Sequence, residues 1–249
     1  MPAHDPAALD VALSICDTLH DQGILRELIL NGDIADFYNV SLHDKMPYHT
    51  SINTSIKDEI YLVNKLLDYC QKKFKGTKIT FIEGNHEDRL ARYLFKRAPD
   101  LYELMDIESL FKLEERGIDF YPYGRHQLYQ IEGTDLYVRH SPYSYSVHCA
   151  YANITKKMIN LIHGCTHRYQ ELKIKTGDFR YLYGCSNACL IDFKNPIFDY
   201  MKTDNWSKGF SVCYVDGSWW QNNHVKIEGG RTVFTGYEFT GDPKFDFTR

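Results

Sequence analysis

The feature that most constrains this chain is a set of short apolar runs, each followed by a polar turn. Four of these runs are predicted to be buried strands: residues 27–31, 78–83, 136–140 and 158–162. Apolar residues at helical spacing indicate helices near residues 6–22, 55–74 and 100–116. Strands that alternate with helices form parallel or mixed sheets covered by helices, so we expect an α/β fold.

The turns at the ends of these strands carry side chains that ligate metals. Asp33 and Asn85 follow the first two strands, His140 ends the third, and His167 follows the fourth. The carboxyl ends of parallel strands meet at one edge of a sheet, where open α/β folds hold their ligands. Each residue alone is a weak signal, because an Asp in a turn more often caps a helix. Together they predict a site for Mn, Fe or Zn.

The order of these motifs resembles the calcineurin-like metallophosphoesterase superfamily. Its motifs run Asp-x-His, Gly-Asp-x-x-Asp, Gly-Asn-His-Asp/Glu, His and Gly-His-x-His. Residues 32–36 match the second motif, residues 84–87 match the third, His140 fits the fourth, and residues 164–167 match the fifth with one substitution. Residues 84–97 and 206–210 resemble the phosphoesterases of phages and their bacterial relatives. The resemblance covers nearly the whole chain.

The resemblance implies a fold and a metal centre. The fold would be a two-sheet α/β/β/α sandwich forming one domain over residues 1–249. Asp33 would bridge two divalent ions (Mn, Fe or Zn). Asn85 and His140 would hold one ion, and His167 would hold the other.

The resemblance also implies a hydrolase that cleaves phosphomonoesters or phosphodiesters, with a hydroxide activated by the two metal ions as the nucleophile. His86 would be the catalytic residue that faces the scissile phosphate and protonates the leaving oxygen. Asp36 and Glu87 would orient the groups that touch metal and substrate. Residues 37–38 are Phe-Tyr, where the Ser/Thr protein phosphatases of the superfamily carry Arg-Gly. This difference argues against a protein phosphatase.

The Asp-x-His motif is absent from this chain. In the related phage proteins it lies on the first strand, just ahead of a Pro and a His-Asp pair, and Pro2 and residues 4–5 resemble that continuation. We therefore expect the chain as given to lack an N-terminal strand and two ligands, and to bind one ion where the family binds two. A misplaced start or a trimmed chain is the favoured explanation, since the other motifs are well kept. The alternative is a catalytically degenerate module that keeps the fold and binds a phosphate-bearing ligand.

Cys165 replaces the first His of Gly-His-x-His. Its thiolate could ligate Zn or Fe, or the residue could be a small buried thiol that binds nothing; the sequence leaves both readings open. His163 shares a face with Cys165 only if the backbone stays extended through Gly164, so a structural role is favoured for His163.

Two charged groups near the motifs have alternative roles. Arg89 and Arg92 would either meet a phosphate or pair with Glu87 or Asp88 on the same helix. Residues 43–45 (His-Asp-Lys), in the loop after the second motif, would either touch substrate or be solvated.

The charge and composition limit the partners. The net charge is −4, so binding of long duplex nucleic acid by charge alone is not expected, whereas nucleotides and nucleic-acid ends fit. No apolar run reaches the roughly 18 residues of a membrane span, and no signal peptide is visible. The seven cysteines are irregularly spaced, which is typical of reduced thiols. A cytoplasmic protein is expected, in the host cytoplasm if a phage encodes it; the oligomeric state stays open.

Overall fold

The computed structural model describes residues 3–41, 55–195, 198 and 205–242. Its helices are α1 (Pro6–Asp21), α2 (Ile56–Lys73), α3 (Asp88–Arg97), α4 (Ile107–Leu110) and α5 (Cys149–Lys157), with 3₁₀ helices at Tyr38–Val40 and Pro99–Leu104. Its strands are β1 (Glu27–Asn31), β2 (Lys78–Ile82), β3 (Asp119–Tyr121), β4 (Tyr129–Gln130), β5 (Leu136–Arg139), β6 (Asn160–His163), β7 (Gln170–Lys175), β8 (Tyr181–Ser186), β9 (Gly209–Asp216), β10 (Trp219–Lys226), β11 (Arg231–Phe234) and β12 (Tyr237–Thr240). The predicted α/β class is confirmed. Residues 43–45 lie outside the described residues.

Two sheets organise the strands that lead to the polar turns. The first has the parallel order β1-β2-β3. The second has the order β4-β5-β6-β8-β7, in which β5, β6 and β8 are parallel and the two outer strands are antiparallel to their neighbours. The turns after β1, β2, β5 and β6, which carry the predicted ligands, therefore follow the carboxyl ends of parallel strands.

Three groups of buried side chains place the helices on the sheets. The residues of α2 pack on the first sheet around Phe37, Phe81 and Phe111. Side chains from both sheets share a second core, which includes Ile82 of β2 and Ile162 of β6. A third core joins α5 to the outer face of the second sheet. The order of layers is thus α2, first sheet, second sheet, α5.

Helix α1 and the C-terminal hairpins form a further layer. The Asp5 side chain caps α1 by accepting the N–H groups of Ala7 and Ala8, which the helix itself leaves unpaired. One face of α1 packs on β9, β11 and β12 through Ala8, Val11 and Ile15. A cavity of about 1130 Å³ runs between β1, α1 and β9, and its lining includes Asp33, His140 and His167.

Two predicted elements differ from the observed ones. The helix expected over residues 100–116 is interrupted: a 3₁₀ helix ends at Leu104, and Asp106 caps the short α4 by accepting the N–H of Ser109. The strand expected from residue 158 begins at Asn160, because Met158 closes α5 in the left-handed conformation (φ +57°). Among the described residues, no helix combines the length and apolar character of a membrane span.

Glu59 of α2 is a buried acid that fixes the turn following β1. Its Oε2 accepts the N–H groups of Asp36 and Phe37, both at 2.8 Å. Burial raises the pKa of Glu59 from its ordinary value of 4.5 to about 7, and the neighbouring Asp36 carboxylate adds to this.

We expect Glu59→Gln to flatten the pH dependence of stability. Between pH 4.5 and 7 the folded protein holds the Glu59 proton and the unfolded chain has released it, so the free energy of unfolding falls as pH rises. Across this pH range the free energy of unfolding of the wild type should fall by roughly 3 kcal/mol because of Glu59, at 1.36 kcal/mol per pKa unit. Urea denaturation at several pH values, with chelator present, measures it. The control is the exposed Glu115→Gln, and equal slopes for the wild type and Glu59→Gln would contradict the prediction.

Candidate metal centre

The turns after β1 and β2 are joined by one buried carboxylate. Glu87 is fully buried and accepts the N–H groups of Asp33 at 2.9 Å, Ala35 at 2.8 Å and Gly84 at 2.9 Å. Burial and the adjacent Asp33 carboxylate raise the pKa of Glu87. Glu87 therefore positions the site through the backbone of both turns.

Two glycines allow these turns to approach closely. A Cβ on Gly84 would lie 2.2 Å from Oδ1 of Asp33, and a Cβ on Gly32 would lie 2.3 Å from Nδ1 of His140. Gly32 also has φ +74°, a conformation that residues with side chains rarely adopt. The glycines of both motifs are thus required by contact with the predicted ligands.

The backbone of Asp33 is strained, and its carboxylate is oriented by hydrogen bonding. Its φ of +55° lies in the left-handed region, which costs a non-glycine residue on the order of 1–3 kcal/mol and is common at functional sites. Oδ1 accepts the N–H of His86 at 3.0 Å, which leaves Oδ2 facing Nε2 of His140 at 3.1 Å. Burial raises the pKa of Asp33, but the charges of His140 and His86 outweigh it and hold the pKa well below its usual value.

His140 presents its Nε2 to two oxygens. Its Nδ1 donates to the carbonyl of Asn31 at 2.8 Å, and its Nε2 lies 3.2 Å from Oδ1 of Asn85 as well as close to Asp33. Burial alone would lower the pKa of His140, but the Asp33 carboxylate raises it well above the ordinary value. Because Nδ1–H is engaged by Asn31, the second proton of His140 lies on Nε2 between the two oxygens, and a metal ion that bound there would displace it. This arrangement suits a bound cation, as in metal-ligating histidines whose other nitrogen is hydrogen-bonded.

Cys165 completes a group of four possible ligands. Its Sγ lies 3.0 Å from Oδ1 of Asn85. Asp33, His140 and Cys165 each offer one ligand atom, and these atoms lie within 4.8 Å of one another. The ligand atoms around one tetrahedral zinc-sized ion are roughly 3.3–3.8 Å apart. A small decrease in the distances between these side-chain atoms would therefore allow them to bind one ion. We call Asp33, Asn85, His140 and Cys165 the Asp33 cluster.

The buried Oδ2 of Asp33 has no hydrogen-bond donor of good geometry among the described residues. The charge of His140, whose Nε2 lies 3.1 Å away, compensates this anionic oxygen in the protein alone, and a bound cation would take over that role. The donor set of carboxylate, amide oxygen, imidazole and thiol therefore fits a divalent metal ion.

His167 and His163 lie outside the Asp33 cluster. His167 lines the same cavity and packs edge-on against Trp206, with ring centroids 4.2 Å apart. Burial lowers the pKa of His167 to about 4, which keeps its ring neutral near pH 7. His163 is buried on the α5 side, with Nδ1 donating to the carbonyl of Gly164 and Nε2 3.5 Å from Nδ2 of Asn153. His163 thus does not substitute for the missing ligand.

His86 lies beside the cluster in a network with Asp36 and Arg89. Its Nδ1 is 2.6 Å from Oδ1 of Asp36, and its Nε2 is 2.9 Å from Nη2 of Arg89 and 3.7 Å from Oδ2 of Asp33. Arg89 also donates to Oδ1 of Asp36 at 2.7 Å. Burial raises the pKa of Asp36, but its bond to His86 and the charges of His86 and Arg89 lower it below the usual value.

The two helix arginines, for which the sequence left two roles open, contact different carboxylates. Arg92 pairs with Asp88, one helical turn away, at 2.8 Å. Arg89 instead reaches back to Asp36 in the second motif, because its position on α3 faces the turn after β1. This places a guanidinium next to His86.

Sequence reasoning missed Asn31, and for residues 143–145 it left open the stacking of a base or ordinary packing at the rim of the site. The side-chain amide of Asn31 is buried and has no hydrogen-bond partner among the described residues, while its carbonyl orients His140. Its one sequence signal is its position immediately before the Gly-Asp motif. The hydroxyl of the exposed Tyr145 lies 3.9 Å from Sγ of Cys165 at the rim of the site.

Comparisons with known proteins link the chain to bacteriophages. The "Gene 54 protein" of Mycobacterium phage L5 is 27% identical over 221 residues, which cover 82% of this chain and 83% of the relative. The "Gene 54 protein" of Mycobacterium phage D29 is 30% identical over 171 residues, which cover 62% of this chain and 64% of the relative. No protein-family model matches the chain. No solved structure matches it either.

Proposed function

We propose that this protein is a metal-dependent phosphoesterase of the metallophosphoesterase type. The observation that carries the proposal is the convergence of Asp33, Asn85 and His140 beside His86, whose Nδ1 is held by a carboxylate. When bound there, a divalent ion would polarise a phosphoryl oxygen and lower the pKa of a coordinated water.

The residues beside the cluster suit phosphoester cleavage. His86 has one nitrogen fixed by Asp36, and its Nε2 lies within 4 Å of Asp33, at 3.7 Å, so a phosphate held at the cluster would be in its reach. In the structure Nη2 of Arg89 donates to Nε2 of His86 at 2.9 Å, so His86 would protonate a leaving oxygen once a bound phosphate draws Arg89 away and Nε2 carries a proton. Arg89 would add positive charge next to the anionic substrate.

The layer order supports the finer fold assignment. Two sheets share a core between them, and α2 and α5 cover their outer faces. We infer that this is the α/β/β/α sandwich of the metallophosphoesterases, with the ligands at the carboxyl ends of β1, β2, β5 and β6.

The proposed substrates are small or single-stranded phosphoesters, such as nucleotides or nucleic-acid ends. The cavity beside the cluster, about 1130 Å³, has room for a nucleotide-sized group. The net charge of −4 disfavours a long duplex. The mycobacteriophage relatives support a phage-encoded protein that acts in the host cytoplasm.

A chromogenic assay tests the function. We expect the purified chain to hydrolyse bis(p-nitrophenyl) phosphate or p-nitrophenyl phosphate when Mn²⁺ or Zn²⁺ is added. A chelator should abolish turnover, and metal should restore it, because the proposed nucleophile is a water molecule that the metal ion activates. Metal binding without hydrolysis of either ester would contradict the proposal and favour a non-catalytic phosphate-binding module.

A further inference from the structure

Cys165 differs from the other cysteines in what surrounds its sulfur. Cys70 and Cys185 are buried among apolar side chains, and burial raises the pKa of each thiol to about 12. The sulfur of Cys165 instead faces Asp33 and His140 and lies 3.0 Å from Oδ1 of Asn85. Its neighbours are thus metal-ligand atoms from three other strand ends.

The backbone after β6 directs this thiol to the cluster. The N–H of Gly164 donates to the carbonyl of His140 at 2.9 Å, which ties the turn to the strand that carries His140. Cys165 then adopts φ +65°, and the N–H of Thr166 closes the turn on the carbonyl of Gly164 at 2.8 Å. This reversal sends the Cys165 side chain toward Asn85, whereas His163 stays on the α5 side.

The ligand chemistry of the cluster is mixed. The imidazole of His140 is buried with Nε2 turned inward, and Oδ2 of Asp33 is buried without a donor among the described residues. One carboxylate, one imidazole, one amide oxygen and one thiol form a set of hard, borderline and soft donors. Thiolates favour zinc and iron over manganese and magnesium, which prefer oxygen ligands.

We propose that Cys165 is a thiolate ligand of the metal centre and that it gives the site a preference for Zn²⁺ over Mn²⁺. This inference rests on the metal centre of the proposed function and names the ion that the centre selects. On binding, the sulfur–hydrogen bond breaks, a sulfur–metal bond forms, and the proton passes to water or buffer. The predicted zinc–sulfur distance is about 2.3 Å.

Cobalt(II) serves as a spectroscopic probe for the zinc site. We expect Co²⁺ added to the full chain to give a thiolate-to-cobalt charge-transfer absorption in the near ultraviolet. Cys165→Ser should lose this band, whereas Cys213→Ser, in the half-buried β9 position outside the cluster, should keep it. Co²⁺ binding without the band in the wild type would overturn the proposal.

Competition titrations measure the selectivity. Cys165→Ser should weaken Zn²⁺ binding roughly a hundredfold, since even partners of metal ligands are worth 10–100-fold, and should change Mn²⁺ binding by less than about threefold. Equal losses for the two ions would overturn the preference for zinc.

Alkylation of the wild-type chain provides a test that needs no variant. Zn²⁺ should protect Cys165 from iodoacetamide while Mg²⁺ does not, with mass spectrometry locating the label. Labelling of Cys165 at the same rate with saturating Zn²⁺ would overturn the proposal. Phosphodiester hydrolysis is measured separately: a charge-transfer band without any hydrolysis would contradict the proposed function alone and leave the thiolate ligand standing.

Discussion

We expect the replacement of His86 with Asn to lower phosphodiester turnover by about 10²–10⁴-fold and to leave the metal content nearly unchanged. His86 does not belong to the Asp33 cluster, and its Nδ1 is bonded to Asp36 at 2.6 Å, so its loss would remove the proposed proton donor and no ligand. The loss corresponds to roughly 3–5.5 kcal/mol of transition-state stabilisation at 1.36 kcal/mol per decade. Steady-state kinetics and metal analysis of the same preparation measure both quantities.

The leaving group provides the internal check on His86. The effect of His86→Asn should be smallest for esters with good leaving groups, which scarcely need a proton. The exposed His126→Asn, on the loop before β4, is the matched control and should keep full activity. If His86→Asn lost metal, or lost no activity on poor leaving groups, His86 would not be the acid.

Asp33→Asn should abolish both metal binding and hydrolysis. Asn keeps the size of the side chain and the bond from the N–H of His86, but it removes the charge that faces Nε2 of His140. We expect metal affinity to fall by roughly 10²-fold or more, because even the partners of metal ligands are worth 10–100-fold, and activity to fall to background. Calorimetric titration with Zn²⁺ and the chromogenic assay measure the two losses.

The control for Asp33→Asn is Asp178→Asn in the exposed turn between β7 and β8. Both variants remove one carboxylate charge, so a difference between them isolates the position. Retention of the wild-type metal affinity in Asp33→Asn would place the ion elsewhere in the molecule.

The sequence predicted the structure well where an apolar strand pattern is followed directly by a ligand motif. The apolar runs predicted β1, β2 and β5 to within one residue, because short buried strands need continuous apolar residues. The carboxyl-end rule placed Asp33, Asn85 and His140 at neighbouring strand ends, and they converge.

The sequence was less informative where a contact depends on backbone reversal. The direction of the Cys165 side chain follows from φ +65°, which no local pattern marks at a cysteine. The bond from Arg89 to Asp36 joins residues 53 positions apart, so helix spacing alone could not favour it over Asp88. The same holds for Glu59, which no local pattern marks as the acceptor of the Asp36 and Phe37 N–H groups.

The carboxylate of Glu87 couples the formation of the site to cooperative folding. It accepts hydrogen bonds from backbone N–H groups of two turns that lie about 50 residues apart in the chain, with Asp33 and Ala35 lying 54 and 52 positions before Glu87. Neither turn can open alone without leaving a fully buried carboxylate short of hydrogen-bond donors. The free energy of opening either turn separately is therefore high. These amides should therefore exchange with solvent only in the slowest, most global opening events. A partly folded chain would have no half-built centre, so any metal ion that the proposed centre holds would bind only after both strands have docked.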